Sequence, residues 1–225
     1  MDTAIFFPTN RQASRYTGGR SKEHSTGSYV TTLPSDPEPF IFDFESKLEH
    51  RVGSTVLARN DVKHYWDQSP PIQVECPGMR PKIRQPDALL ERKDGWKSLL
   101  YIKPEEKIAS GRYDEDIELI SRSLSSDYAD ELVVVTDASF EPWEATNAER
   151  LMEFRRTPDE EADKIVAEFA SRLDGLITIG DLIVILQIGG RGFRAIFRAI
   201  YDGVLKQIEE GVIDLTTVVE AGDVK

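Results

Sequence analysis

Asp87 and Lys103 carry opposite charges at the two ends of the stretch QPDALLERKDGWKSLLYIK, residues 85–103. Side chains alternate along a strand, so Leu99, Tyr101 and Lys103 share one face. A turn centred on Lys93-Asp94-Gly95, where glycine takes a positive φ cheaply, returns the chain and sets Asp87 beside the Tyr101–Lys103 end. Glu45, near the start of an amphipathic segment with Glu49 one turn on, can present a further carboxylate to the same place. Two acids and an ammonium of this kind suit phosphodiester hydrolysis. Hard oxygens hold Mg²⁺ (or Mn²⁺), the ion acidifies a water, and a lysine orients that water or neutralises the phosphate. Each residue also has an ordinary reading. Asp87 can be a strand-edge acid, Lys103 a solvated strand end, Glu45 a helix-start acid favoured by the dipole, and Tyr101 a packed strand aromatic.

The elements that must position these groups are legible as patterns. Phe44, Leu48, Val52 and Val56 recur at four-residue spacing, which predicts a helix over 43–58. The segment 62–76 reads as a loop broken by Pro70-Pro71, then a strand at Ile72–Val74. One strand is expected over 82–92 and another over 97–103, completing a three-stranded meander. A helix follows near 113–126. The apolar run ELVVVTD, 131–137, reads as a central strand covered on both faces. A short helix covers NAERLMEFRR, 147–156. The fold class is mixed α/β, with one sheet flanked by helices.

Three regions are expected. Residues 1–39, rich in Gly, Ser, Thr and Pro with Arg11, Arg15, Arg20 and Lys22, form an irregular arm. Residues 40–156 form the α/β domain. Residues 157–225 open on Thr157 as N-cap and Pro158 in the first turn. Helices are expected over 158–173, 178–187 and 193–209, and a strand-like GVIDLTTVVE after them, in the manner of a winged helix. Arg191, Arg194 and Arg198 fall on one face of the last helix, opposite Phe193, Phe197, Ile200 and Val204. That face can contact DNA or an acidic protein surface. Arg80, Lys82 and Arg84 alternate along the strand entering Asp87; they either track a DNA backbone or guard a solvated edge.

The ordered succession FESKLE (44–49), DQSPP (67–71), QPDALLERKDG (85–95), YIKP (101–104), ELVVVTD (131–137) and NAERLMEFRR (147–156) resembles the TnsA-type endonuclease subunits of heteromeric transposases. These are a branch of the restriction-endonuclease-like, PD-(D/E)XK fold. The resemblance covers residues 40–156, and the tail resembles that family's C-terminal helical domain. It implies that Glu45, Asp87 and Lys103 are catalytic, with Glu45 and Asp87 at a Mg²⁺ or Mn²⁺ ion. It implies cleavage of the strands yielding the 5′ ends at transposon ends, beside a DDE transposase and a regulatory AAA+ ATPase. The departure is Tyr101, which stands where the family has Glu or Gln. A neutral phenol is a poor Mg²⁺ ligand. Three arrangements are open: fewer protein ligands and more waters; a substitute acid such as Glu91, Glu105 or Glu106; or a dead site whose fold is kept to dock the transposase and ATPase.

Bulk properties bound the rest. The formal charge is −12, split as +1 over residues 1–110 and −13 over 111–225. The first half can approach a polyanion; the second suits solvent or a basic partner. A single cysteine, Cys76, excludes an internal disulfide or cysteine cluster. No long apolar run or signal peptide is evident, so a cytoplasmic protein free of the membrane is expected.

Overall fold

The computed structural model describes residues 26–33, 36–76, 78 and 80–222. The described chain divides into two compact units. One comprises the residues up to Leu57 together with Asp61–Glu141, the other Ala58–Asn60 with Pro142 onward.

The first unit is mixed α/β. Its chain order is β1 (Gly27–Leu33), β2 (Asp36–Phe44), α1 (Lys47–Ala58), β3 (Val62–Trp66), β4 (Ile72–Val74), β5 (Lys82–Arg84), β6 (Ala88–Arg92), β7 (Lys97–Ile102), α2 (Glu105–Ala109), α3 (Asp114–Ser123) and β8 (Glu131–Val135). The main sheet has the order β3-β6-β7-β8, antiparallel except for the parallel pair β7–β8. The β6–β7 turn falls at 93–95. Arg92 and Trp96 close it through an N–H to carbonyl bond of 2.9 Å, and Gly95 takes φ +88°.

Several expectations change. The arm expected to end at 39 enters an antiparallel hairpin, β1–β2, and is not irregular from Gly27 on; the hairpin runs to Phe44, so the helix expected from 43 starts at Lys47. Arg11, Arg15, Arg20 and Lys22 lie outside the described residues. The segment 62–66 is a sheet strand and not a loop, because Val62 and Tyr65 are buried against β6. The expected strand 82–92 is two strands in different sheets. Pro86 cannot donate to a ladder, so the chain leaves the β4–β5 ribbon and enters the main sheet at Asp87. The run 131–135 is an edge strand, half-buried, while β7 is the deeply buried one.

Alternation along β6 and β7 builds two apolar faces. Leu89, Leu99 and Tyr101 pack with Ile72 and Val74 of the β4–β5 ribbon and with Leu119 and Ile120 of α3. Leu90, Leu100 and Ile102 turn to the other face and are also buried. Tyr65 of β3 meets Phe42 of β2, ring centroids 5.9 Å apart.

The second unit runs α4 (Pro142–Arg155), α5 (Glu160–Ala170), β9 (Ile177–Thr178), α6 (Ile179–Leu186), α7 (Gly190–Tyr201), β10 (Leu205–Gln207) and β11 (Val218–Ala221). Its small sheet has the order β10-β11-β9, all antiparallel. The boundary expected near 156 falls between α4 and α5, but the compact units part after Glu141. The reason is that α4 packs within the tail. The Phe154 ring lies edge-on to Phe193 and Phe197, at 6.0 and 5.1 Å. Asn147 and Arg150 bond the backbone near 211–213. Helix α7 ends at Tyr201 rather than 209, so Val204 lies beyond it and the chain turns into β10. The cap of α5 is Asp159, which accepts the Ala162 N–H at 3.1 Å; Thr157 does not take that role. Among the described residues, no helix is long and apolar enough to cross a membrane.

Candidate active site

Register sets the centre of the site. Ala88 pairs with Leu100, so Asp87 stands across from Tyr101 at the end of two neighbouring strands. The Asp87 N–H donates to the Leu100 carbonyl at 3.1 Å, and Asp87 Oδ2 accepts the Ile102 N–H at 2.7 Å. Lys103 Nζ reaches both oxygens of the same carboxylate, at 2.9 and 2.7 Å. The pair is largely buried, with 15% of the Asp87 and 21% of the Lys103 side chain exposed. The turn at 67–69 braces this end. Ser69 Oγ donates to the Pro86 carbonyl at 2.9 Å, and Gln85 Nε2 donates to the Ser69 carbonyl at 3.1 Å.

Tyr101 does not take the place of a metal-binding acid. It is 6% exposed and belongs to the apolar cluster under α3. Its ring meets Tyr113 edge-on at 5.8 Å. Lys103 Nζ sits 4.6 Å from the Tyr101 centroid and 5.8 Å from that of Tyr113. Burial pushes the Tyr101 phenol far above its ordinary range, with Asp116 and Asp87 acting the same way. It therefore remains a neutral platform for the lysine. The three substitute acids are placed differently. Glu91 lies four residues along β6, ~13 Å away, and binds Lys63 at 2.8 Å. Glu105 and Glu106 are exposed in the first turn of α2.

The acid that sequence reasoning undervalued is Glu49. Ser46 caps α1, its Oγ accepting the Glu49 N–H at 3.1 Å. Glu49 folds back, one oxygen accepting from the Ser46 hydroxyl at 3.0 Å and the other from the Glu45 N–H at 2.9 Å. The signal was present as the Ser-x-x-Glu capping spacing. Burial raises the pKa of the Glu49 carboxyl, and the like charges of Asp87 and Glu45 raise it further, against the lowering effect of those two hydrogen bonds. Glu45 thus stands in the same field, while Glu49 is the carboxyl on which the Asp87 charge acts.

The other expected contacts divide. Arg84 binds Asp116 of α3, Nε to Oδ1 at 2.8 Å, in the surroundings of Tyr101. Arg80 is exposed and Lys82 half-buried on the β4–β5 ribbon. The α7 arginines differ: Arg191 and Arg194 are exposed and Arg198 is buried. Arg191 forks onto Asp159 at 2.6 Å and also holds Glu161 at 2.8 Å. Arg198 is 7% exposed and grips Asp163 and the Phe154 carbonyl. Arg194 lies over the Phe154 ring at 5.8 Å.

No family model matches the chain, and no curated protein matches it.

Among the described residues, no group of three or more ligating side chains stands ready for a metal ion. Mg²⁺ needs less: it binds through one or two carboxylates and fills its remaining positions with water and phosphate oxygens. Asp87 is one such carboxylate, and the Glu49 carboxyl lies within reach of its charge. Asp87 binds the Lys103 ammonium, and the raised pKa of Glu49 comes first from burial, with the like charges of Asp87 and Glu45 adding to it. Carboxylate oxygens are the hard donors that such an ion takes.

Proposed function

We propose that the chain is the DNA endonuclease subunit of a transposition complex. The first unit is read as a restriction-endonuclease-like domain, and the second as a winged-helix-like module. The observation that carries the reading is the Asp87–Lys103 pair at adjacent strand ends, with the half-buried Glu49 carboxyl in reach of the Asp87 charge. Apart from the β4–β5 ribbon and the short α2, the order helix, strand, strand after Asp87, strand before Lys103, helix, strand supports the first assignment. The order helix, short strand, helix, helix, two-stranded hairpin supports the second. Asp87, with Glu49 or Glu45, would hold Mg²⁺ or Mn²⁺, which when bound supplies an acidified water and charge neutralisation. Lys103, already fixed by the strand and by two rings, would orient against the scissile phosphate. The DNA at transposon ends, a DDE transposase and a regulatory AAA+ ATPase are the partners proposed by resemblance.

A second reading follows from Tyr101: a nuclease fold without cleavage, serving to dock the transposase and ATPase. Its support is that Tyr101 is core and Asp87 is already neutralised by Lys103.

Metal-dependent nicking by the purified chain, alone and with partners, separates the two. On the endonuclease reading, Asp87→Ala abolishes nicking and Lys103→Ala lowers it about 100-fold or more, while both variants remain folded. Mg²⁺ also raises the melting temperature of the wild-type chain and not that of Asp87→Ala. Nicking that survives Asp87→Ala refutes the site, and a complete wild-type assembly that never nicks favours the docking reading.

A further inference from the structure

We propose that the groove beside the β10–β11 connection of the second unit docks a basic, apolar protein segment of a partner. The groove encloses about 340 Å³ and is lined by Leu176, Ile208, Val212 and Val218, with Glu209 and Glu210 among its walls. Leu176, Ile208 and Val212 are 63%, 41% and 43% exposed. Neighbouring Leu215 is 56% exposed in the same connection. Large apolar side chains gathered at one place on a surface mark an interaction site.

The groove is built, not loose. Asn147, itself 1% exposed, donates to the Gly211 carbonyl at 2.9 Å and accepts the Ile213 N–H at 3.0 Å. Arg150 donates to the Ile213 carbonyl at 2.9 Å, and Asp214 accepts the Thr216 N–H at 2.7 Å. A connection pinned from α4 in this way loses little freedom on binding.

Charge selects the occupant. A hairpin turned toward nucleic acid needs lysine or arginine against the phosphates. This one presents two glutamates, and no basic side chain lines the groove among the described residues. The nearest alternative, α7, has Arg191 and Arg198 bound to Asp159, Glu161 and Asp163. Apolar side chains bracketed by lysine or arginine match both the lining and the rim. The inference goes beyond the nuclease reading and stands if that reading fails, since it involves none of Glu45, Glu49, Asp87 or Lys103.

The test titrates the full-length chain with a short amphipathic leucine–lysine peptide, a matched leucine–glutamate peptide and a DNA duplex. Calorimetry and backbone amide shifts are read together. The leucine–lysine peptide is expected to bind, with shifts centred on Leu176 and residues 207–218. The paired variants Ile208→Ser with Val212→Ser, and Glu209→Lys with Glu210→Lys, each weaken it about tenfold or more, while thermal unfolding shows the fold intact. Equal binding of the leucine–glutamate peptide overturns the proposal, as does a shift pattern elsewhere or DNA perturbing the same amides. Self-association that Val212→Ser abolishes reassigns the groove to a second copy and overturns it as well.

Discussion

Lys103 is held three ways at once: by both Asp87 oxygens, by the face of Tyr101 and by that of Tyr113. A charge this well placed loses little entropy when it meets a phosphate. The cation–π contact needs the ring and not the hydroxyl. Tyr101→Phe is therefore expected to leave stability almost unchanged, whereas Tyr101→Leu costs about 1–2 kcal/mol, read from denaturant unfolding. Equal losses in the two variants would move the weight onto the phenol oxygen. Glu49 yields a pH prediction. Its folded-state pKa lies above the ordinary 4.5 because of burial and the neighbouring acids. Between those two values the folded chain holds a proton that the unfolded chain has released. Stability from this group is thus greatest at low pH and falls as pH rises through the window. In chelator-containing buffer the wild type should lose stability relative to Glu49→Gln as pH climbs from 4.5 and then level off. The opposite slope would mean that the carboxylate is stabilised where it lies.

At the scale of elements, α1 presents the caps and acids of the site because a glycine lets it approach the β1–β2 hairpin. A Cβ on Gly53 would lie 2.2 Å from Cζ of Phe42, a ring only 1% exposed. Alanine would improve helix propensity by about 1 kcal/mol, but overpacking of a buried ring costs about 1–3 kcal/mol. Gly53→Ala is expected to lower the melting temperature and, on the proposed endonuclease reading, to weaken nicking by tilting α1. A stabilised Gly53→Ala variant would show that the close approach is dispensable. The break at Pro86 works on the same scale. By ending β5 and admitting Asp87 to the main sheet, it aims one acid at the strand end where the Lys103 ammonium arrives.

For the whole molecule, charge is distributed so that one half tolerates a polyanion and the other repels it. Three of the arginines that could have offset this are bound to acids, Arg84 to Asp116, Arg191 to Asp159 and Glu161, Arg198 to Asp163, while Arg194 is exposed over the Phe154 ring. The Arg191 hydrogen bonds, followed by the Ala162 N–H, hold the Asp159 carboxyl down at about 2, so that pair persists at all ordinary pH. The isolated chain is therefore expected to bind duplex DNA no more tightly than about 10 µM at physiological salt, measured by fluorescence anisotropy. Partners would supply the affinity. Sub-micromolar binding by the chain alone would contradict this.

Local order was legible in the residues. The Lys93–Gly95 turn, the alternation of Leu99, Tyr101 and Lys103, and the meeting of Asp87 with Lys103 follow from a period of two and one glycine. The helices at α1 and α3 follow from apolar spacing, and α5 from the proline and acids that open it. Other features needed partners distant in the chain. Whether ELVVV is central or edge depends on what pairs with its far side. Whether Arg198 faces DNA or Asp163 depends on how α5 lies on α7, and α4 joins the second unit through Phe154 and Asn147. Glu49 carries the clearest case. Its spacing from Ser46 announces a helix cap and its spacing from Glu45 a neighbouring acid, but only folding brings the charge of Asp87 to it, because electrostatic coupling depends on distance in space and not along the chain.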